Sequence, residues 1–173
     1  MSIERAIKIT KGSLYETDFA LWLEEQLDAL RRGDYDQLDR PNLVEEIEDL
    51  GKNLRREVAS RLETLIVHLI KLSVSREDRP KAGWRSTVRE QRRQLEKVFS
   101  DSPSLRRYAD EVFMDSLSNA KSDAYAALVD HEPNMAKEYQ EAISAGWDLL
   151  EMESVLDHGL FLEVAKVGGD RPT

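Results

Sequence analysis

Apolar residues recur along most of the chain at steps of three and four, and no stretch sustains the every-second-residue alternation of a half-buried strand. The first such row is Phe19, Trp22, Leu23, Leu27 and Leu30, predicting a helix over roughly 18–32. Glu16, Thr17 and Asp18 offer caps at its start. Gly33 is placed to end it, because glycine tolerates the left-handed conformation of a C-cap. The stretch "GDYDQLDRPN" then reads as a turn-rich connection, with Pro41 suited to an opening helical turn. From Leu43 the apolar positions run 43, 47, 50, 54, 58, 62, 65, 69 and 72. They predict one helix of about 30 residues, about 45 Å long, with Gly51 as a soft spot that costs about 1 kcal/mol relative to alanine.

The stretch "SREDRPKAG" interrupts the pattern. A further row follows on Trp84, Val88, Leu95, Val98 and Phe99. "SDSPSL" supplies a serine or aspartate cap with Pro103 in the first turn of a helix over about 104–129. Two more helices are predicted near 134–145 and 147–157, the last on Leu149, Leu150, Val155 and Leu156. The expected fold is all-α: a single-domain helical bundle with one long central helix. Residues 13–165 form the bundle, 1–12 a flexible arm and 166–173 a frayed tail.

On a helical wheel, Leu43, Ile47, Leu50, Leu54, Val58, Leu65, Leu69 and Leu72 share about a third of the circle, which assigns the whole row to the core. Glu45, Glu48 and Lys52 point away from it. Glu46 lies at its edge, and that edge continues through Asn53, Glu57, Thr64, His68 and Lys71. One polar seam therefore follows the core boundary, acidic at its start and basic at its end. The stretch "RLETLIVHLIKL" is apolar almost all round, as in a central helix, so His68 and Lys71 have little access to water. The following helix adds Gln91 and Arg92. Two readings stay open for the seam. It is a structural network in which Lys71 and Arg92 pair with Glu46 or Glu57, or it is a ligand cleft of convergent polar groups.

Charge and composition narrow the classes. With 34 acidic and 25 basic residues the net charge is -9, which disfavours nucleic-acid backbone binding. The absence of cysteine excludes disulfides and thiolate metal sites. No apolar run approaches the roughly 20 residues that span a bilayer, so a cytoplasmic protein with no membrane association is expected.

Several markers in order then carry a family resemblance. They are Tyr15, Asp18, Phe19 and Trp22, the run "NLVEEIEDLG", His68 with Lys71, Trp84, the "EQR" at 90–92 and "SPSL" at 102–105. Over roughly residues 14–130 the chain resembles the bacterial family called domain of unknown function 29. The resemblance implies a helical bundle with no established biochemical activity.

A second comparison is with the all-α nucleoside triphosphate pyrophosphohydrolases, which hold Mg²⁺ through a Glu-Glu-x-x-Glu motif on one helix and Glu-x-x-Asp on the next. Glu45, Glu46 and Asp49 nearly supply the first motif, with aspartate for the final glutamate. Nothing between Lys52 and Trp84 supplies the second. The function expected is a non-catalytic interaction or regulatory module with a protein partner and no cofactor. The alternative is a metal-dependent hydrolase of a phosphorylated substrate, with Mg²⁺ or Mn²⁺ at Glu46 and Asp49.

Overall fold

A computed structural model describes residues 14–75, 81–147 and 151–157. The expected arm at 1–12, the tail at 166–173, and Leu149 and Leu150 lie outside the described residues. After a helical turn at 14–17 come α1 (Phe19–Arg32), α2 (Arg40–Val74), α3 (Lys81–Asp101), α4 (Ser104–His131), α5 (Ala136–Gly146) and α6 (Met152–Leu156). No strand occurs among the described residues, and the chain is all-α. Short 3-10 turns at Tyr35–Gln37 and Pro133–Met135 join α1 to α2 and α4 to α5.

The predicted punctuation has physical counterparts. The Asp18 carboxylate accepts a hydrogen bond from the Leu21 backbone N–H, satisfying one of the free donors at the start of α1. Gly33 ends the helix at φ 74°, and its N–H returns to the Ala29 and Leu30 carbonyls. Pro41 lies in the first turn of α2, where its missing N–H costs nothing. That helix has 35 residues, somewhat longer than expected, and Gly51 does not interrupt it. At the α3–α4 junction Pro103 itself takes the cap position and no side chain caps the helix, so the expected Ser or Asp cap is not made.

The described residues fall into two units that divide between Asn53 and Leu54, within α2. In the second unit, Val58, Leu62, Leu65, Ile66, Leu69 and Ile70 of α2 are buried. They form one apolar cluster with Val88, Leu95 and Phe99 of α3 and with a row on α4 from Leu105 to Leu128. Ala109, Ala120 and Ala124 are fully buried on α4; such short side chains let neighbouring helices approach closely. Tyr139, Ile143 and Trp147, then Met152 and Val155, complete this core.

The first unit is built differently. Trp22, Gln26 and Ala29 are its buried positions on α1. The chain runs back antiparallel here: Tyr15 bonds Glu46, and Trp22, seven residues on, bonds Asp39, seven residues back from Glu46.

One expectation about the core is overturned. Ile47 and Leu50, assigned inward with the rest of the α2 row, are 67 % and 62 % exposed, and Leu54 is exposed as well. Leu43 is only half-buried. The row is regular throughout, but Ile47, Leu50 and Leu54 stay exposed while Val58, Leu62, Leu65 and Leu69 are buried. The α1 row behaves likewise, since Trp22 is buried while Phe19, Leu23, Leu27 and Leu30 stay exposed.

Candidate functional site

In the first unit polar groups tie α1 to the segment 39–46. The Trp22 indole Nε1–H donates to Asp39 Oδ2 at 3.3 Å, and the Asn42 amide donates to the same oxygen at 2.7 Å. The Asp39 backbone N–H donates to Gln26 Oε1 at 2.7 Å, which explains why an amide stands at a buried α1 position. Tyr15 donates its hydroxyl to Glu46 Oε1 at 2.6 Å, while its ring meets Phe19 and Trp22 at centroid distances of 5.8 and 4.9 Å. The hydrogen bond to Glu46, helped by desolvation and by the nearby charges of Glu46, Glu45 and Asp49, pushes the Tyr15 phenol up to about 12. Asp39, Gln26 and Trp22 were not singled out as a group from the sequence. The available signal was one polar residue, Gln26, four positions after a tryptophan on an apolar stripe.

The rest of the seam lies apart from Glu46. Asn53 is exposed. Glu57 pairs with Arg61 at 2.8 Å, one turn along the same helix, and Arg61 also donates to Gln91 Oε1 at 3.3 Å. The Thr64 hydroxyl donates to the Ser60 carbonyl at 2.8 Å. His68 Nδ1 lies 2.9 Å from the Thr64 carbonyl, which makes Nδ1 the protonated nitrogen. Burial lowers the His68 pKa below its ordinary value, with Lys71 adding to the effect and the Thr64 bond opposing it. The Lys71 ammonium sits 4.7 Å above the centre of the Trp84 ring, and desolvation lowers its pKa too.

Arg92 is fully buried on α3 and donates from Nε to the Val155 carbonyl of α6 at 2.9 Å. Desolvation lowers its pKa, against the opposing fields of Asp157 and Glu96.

The expected pairing of Lys71 and Arg92 with Glu46 or Glu57 is therefore not what these groups make. Lys71 is fourteen residues from Glu57 on one helix, about 21 Å along the axis, and out of reach. Arg61, one turn away, takes Glu57 instead. Of the seam residues, Glu57 and Gln91 share Arg61, and His68 bonds the Thr64 carbonyl, while Glu46, Lys71 and Arg92 each engage a group outside the seam. A shallow concavity of about 370 Å³ between α4 and α5 is lined by Lys121, Ser122, Tyr125, Gln140, Ile143 and Ser144, none of which belongs to the seam.

The carboxylates of the metal alternative have other partners. Glu46 accepts the Tyr15 hydroxyl, and Asp49 holds the Lys52 ammonium at 2.8 Å. A divalent cation there would have to displace a phenol and an ammonium. Among the described residues no three His, Asp or Glu side chains converge as a metal site requires.

What remains outside these local networks is apolar and exposed. On α1 it is Phe19, Leu23, Leu27 and Leu30; on α2 it is Val44, Ile47, Leu50 and Leu54. Their exposures run from 38 % for Leu54 to 67 % for Ile47.

Fold and surface together define an all-helical protein with a well-packed helical core and an N-terminal unit that leaves two apolar rows in solvent. No helix among the described residues is long and apolar enough to cross a membrane. The family model described as Domain of unknown function DUF29 matches residues 14–149, and the chain belongs to that family. The match runs beyond residue 130, where the resemblance read from the sequence stopped, and takes in α5. Neither the curated proteins nor the solved structures gave a match to this chain.

Proposed function

We propose that this chain is a non-catalytic interaction module, working through the exposed apolar rows of α1 and α2 in its N-terminal unit. The observation that carries this reading is the exposure of Ile47 and Leu50 on a row that continues, at the same helical spacing, into the buried core of the second unit. Leaving such leucine-sized side chains in water forgoes about 1.5–3 kcal/mol each for full burial. A partner that covers the rows recovers that free energy.

The reading is tested by placing a photo-crosslinking side chain at Ile47, at Leu27, or at Met114, an equally exposed apolar position on α4. In cells expressing the chain at native level, Ile47 and Leu27 are expected to give a discrete protein adduct and Met114 none. Indistinguishable patterns at the three positions contradict the proposal.

A further inference from the structure

The first unit, Met1–Asn53, holds both the start of the exposed α2 row and the residues that precede Leu14. Its antiparallel hydrogen bonds, Tyr15 to Glu46 and Trp22 to Asp39, set a register in which one side of the pair advances as the other recedes. In that register Leu14, the first described residue, falls opposite Ile47, and residue 11 falls opposite Leu50. The row on α2 therefore passes out of the paired region where the described chain begins. Leu14 and Tyr15 are half-buried at that point, so the place from which residues 1–13 depart is held beside the row.

The charges agree with this placement. Between residues 14 and 53 twelve acidic side chains stand against four basic ones, whereas residues 1–13 carry Arg5, Lys8 and Lys11 against Glu4. After its hydrogen bond to Glu46 and desolvation, the Tyr15 phenol is raised by the charges of Glu46, Glu45 and Asp49, so negative potential reaches the junction with residue 13. Glu46 lies at the edge of the row, and Tyr15 uses only its Oε1. Ile3, Ile7 and Ile9 accompany the basic residues and supply apolar area.

We propose that residues 1–13 lie antiparallel along the start of the exposed α2 row, over Ile47 and Leu50, as a tethered occupant that a partner must displace. The proposal rests on the interaction reading above and adds its regulation. At the rise of a helix Lys11 comes level with Leu50. Its aliphatic stem there covers the leucine while its ammonium turns to Glu46, one turn back on α2. A short tether sets an effective concentration of about millimolar, so a contact too weak to join separate molecules is populated within one chain. A second copy or an unrelated basic helix has no such tether.

Paired cysteines in the full chain test the placement, and the absence of native cysteine keeps the readout clean. Thr10→Cys, level with the Leu50–Gly51 step, is expected to form a disulfide with Leu50→Cys at least tenfold faster than with Lys52→Cys, which points away from the row. The rate should not depend on protein concentration, and adding Lys8→Glu with Lys11→Glu should remove the preference. Circular dichroism confirms that each variant is folded. Equal rates at positions 50 and 52 overturn the proposal, as does a preference that survives the charge reversal. Disulfides that form between chains overturn it too, and make a second copy the occupant.

Competition is read in cells with the photo-crosslinking side chains. Lys8→Glu with Lys11→Glu is expected to raise the Ile47 adduct at least threefold and to leave the Leu27 adduct unchanged. An Ile47 adduct that does not rise overturns the tethered occupant. The interaction reading fails separately, when the adducts from Ile47 and Leu27 match those from Met114.

Discussion

Leu50 and Leu65 occupy one helix and one apolar row, yet one is largely in solvent and the other is fully buried. Replacing each by alanine separates pattern from environment. Leu65 touches the core on every side, so its truncation removes the transfer free energy and leaves a cavity, together about 2–5 kcal/mol for buried leucine. Leu50 has only about a third of its surface withdrawn from water within one chain. Scaling the 1.5–3 kcal/mol for a fully buried side chain gives about 0.5–1 kcal/mol, with a small return from alanine's better helix propensity. At this chain length 1 kcal/mol moves the melting temperature by about 2–4 °C, so the two variants are readily told apart. Denaturant unfolding measures both. There Leu50→Ala is expected to cost less than half of what Leu65→Ala costs. Equal costs would mean that the first half of the α2 row is buried within the chain, and the surface argument would fail at its root.

Three further outcomes test other parts of the structure. Gln26→Leu deprives the Asp39 backbone N–H of its acceptor and should destabilise by about 1–3 kcal/mol; a neutral result in thermal unfolding would show that the amide is not holding the α1–α2 connection. His68 has a folded pKa below the ordinary 6.5, so the fold favours its neutral form. Its stabilising share is complete above 6.5 and is lost as pH falls through 6.5 toward the folded value. His68→Gln should therefore lose less stability on acidification in that window, and superimposable pH profiles would count against the assignment. Millimolar Mg²⁺ or Mn²⁺ should leave the melting temperature unchanged, whereas a site filled at a hundred times its dissociation constant would add about 2.7 kcal/mol. A rise that disappears in Glu46→Gln would favour the hydrolase alternative.

The helices themselves were legible residue by residue. Asp18 and Gly33 bound α1, Pro41 opens α2, and the three-and-four spacing runs through each long element, because caps and periodicity act within a few residues of the backbone they control. The second half of the α2 row was legible as core for a related reason: a helix apolar on nearly every side has nowhere else to go. Periodicity names the face of a helix and not what lies against it. Only tertiary structure decided that Val58 onward is covered while Ile47 and Leu50 are not. It likewise decided that Trp22 and Gln26 close on Asp39, that Arg92 reaches a carbonyl of α6 sixty-three positions further along the chain, and that Lys71 rests on Trp84 rather than on a carboxylate. Each of these contacts joins segments whose approach is set by packing. No local rule along the chain carries that information.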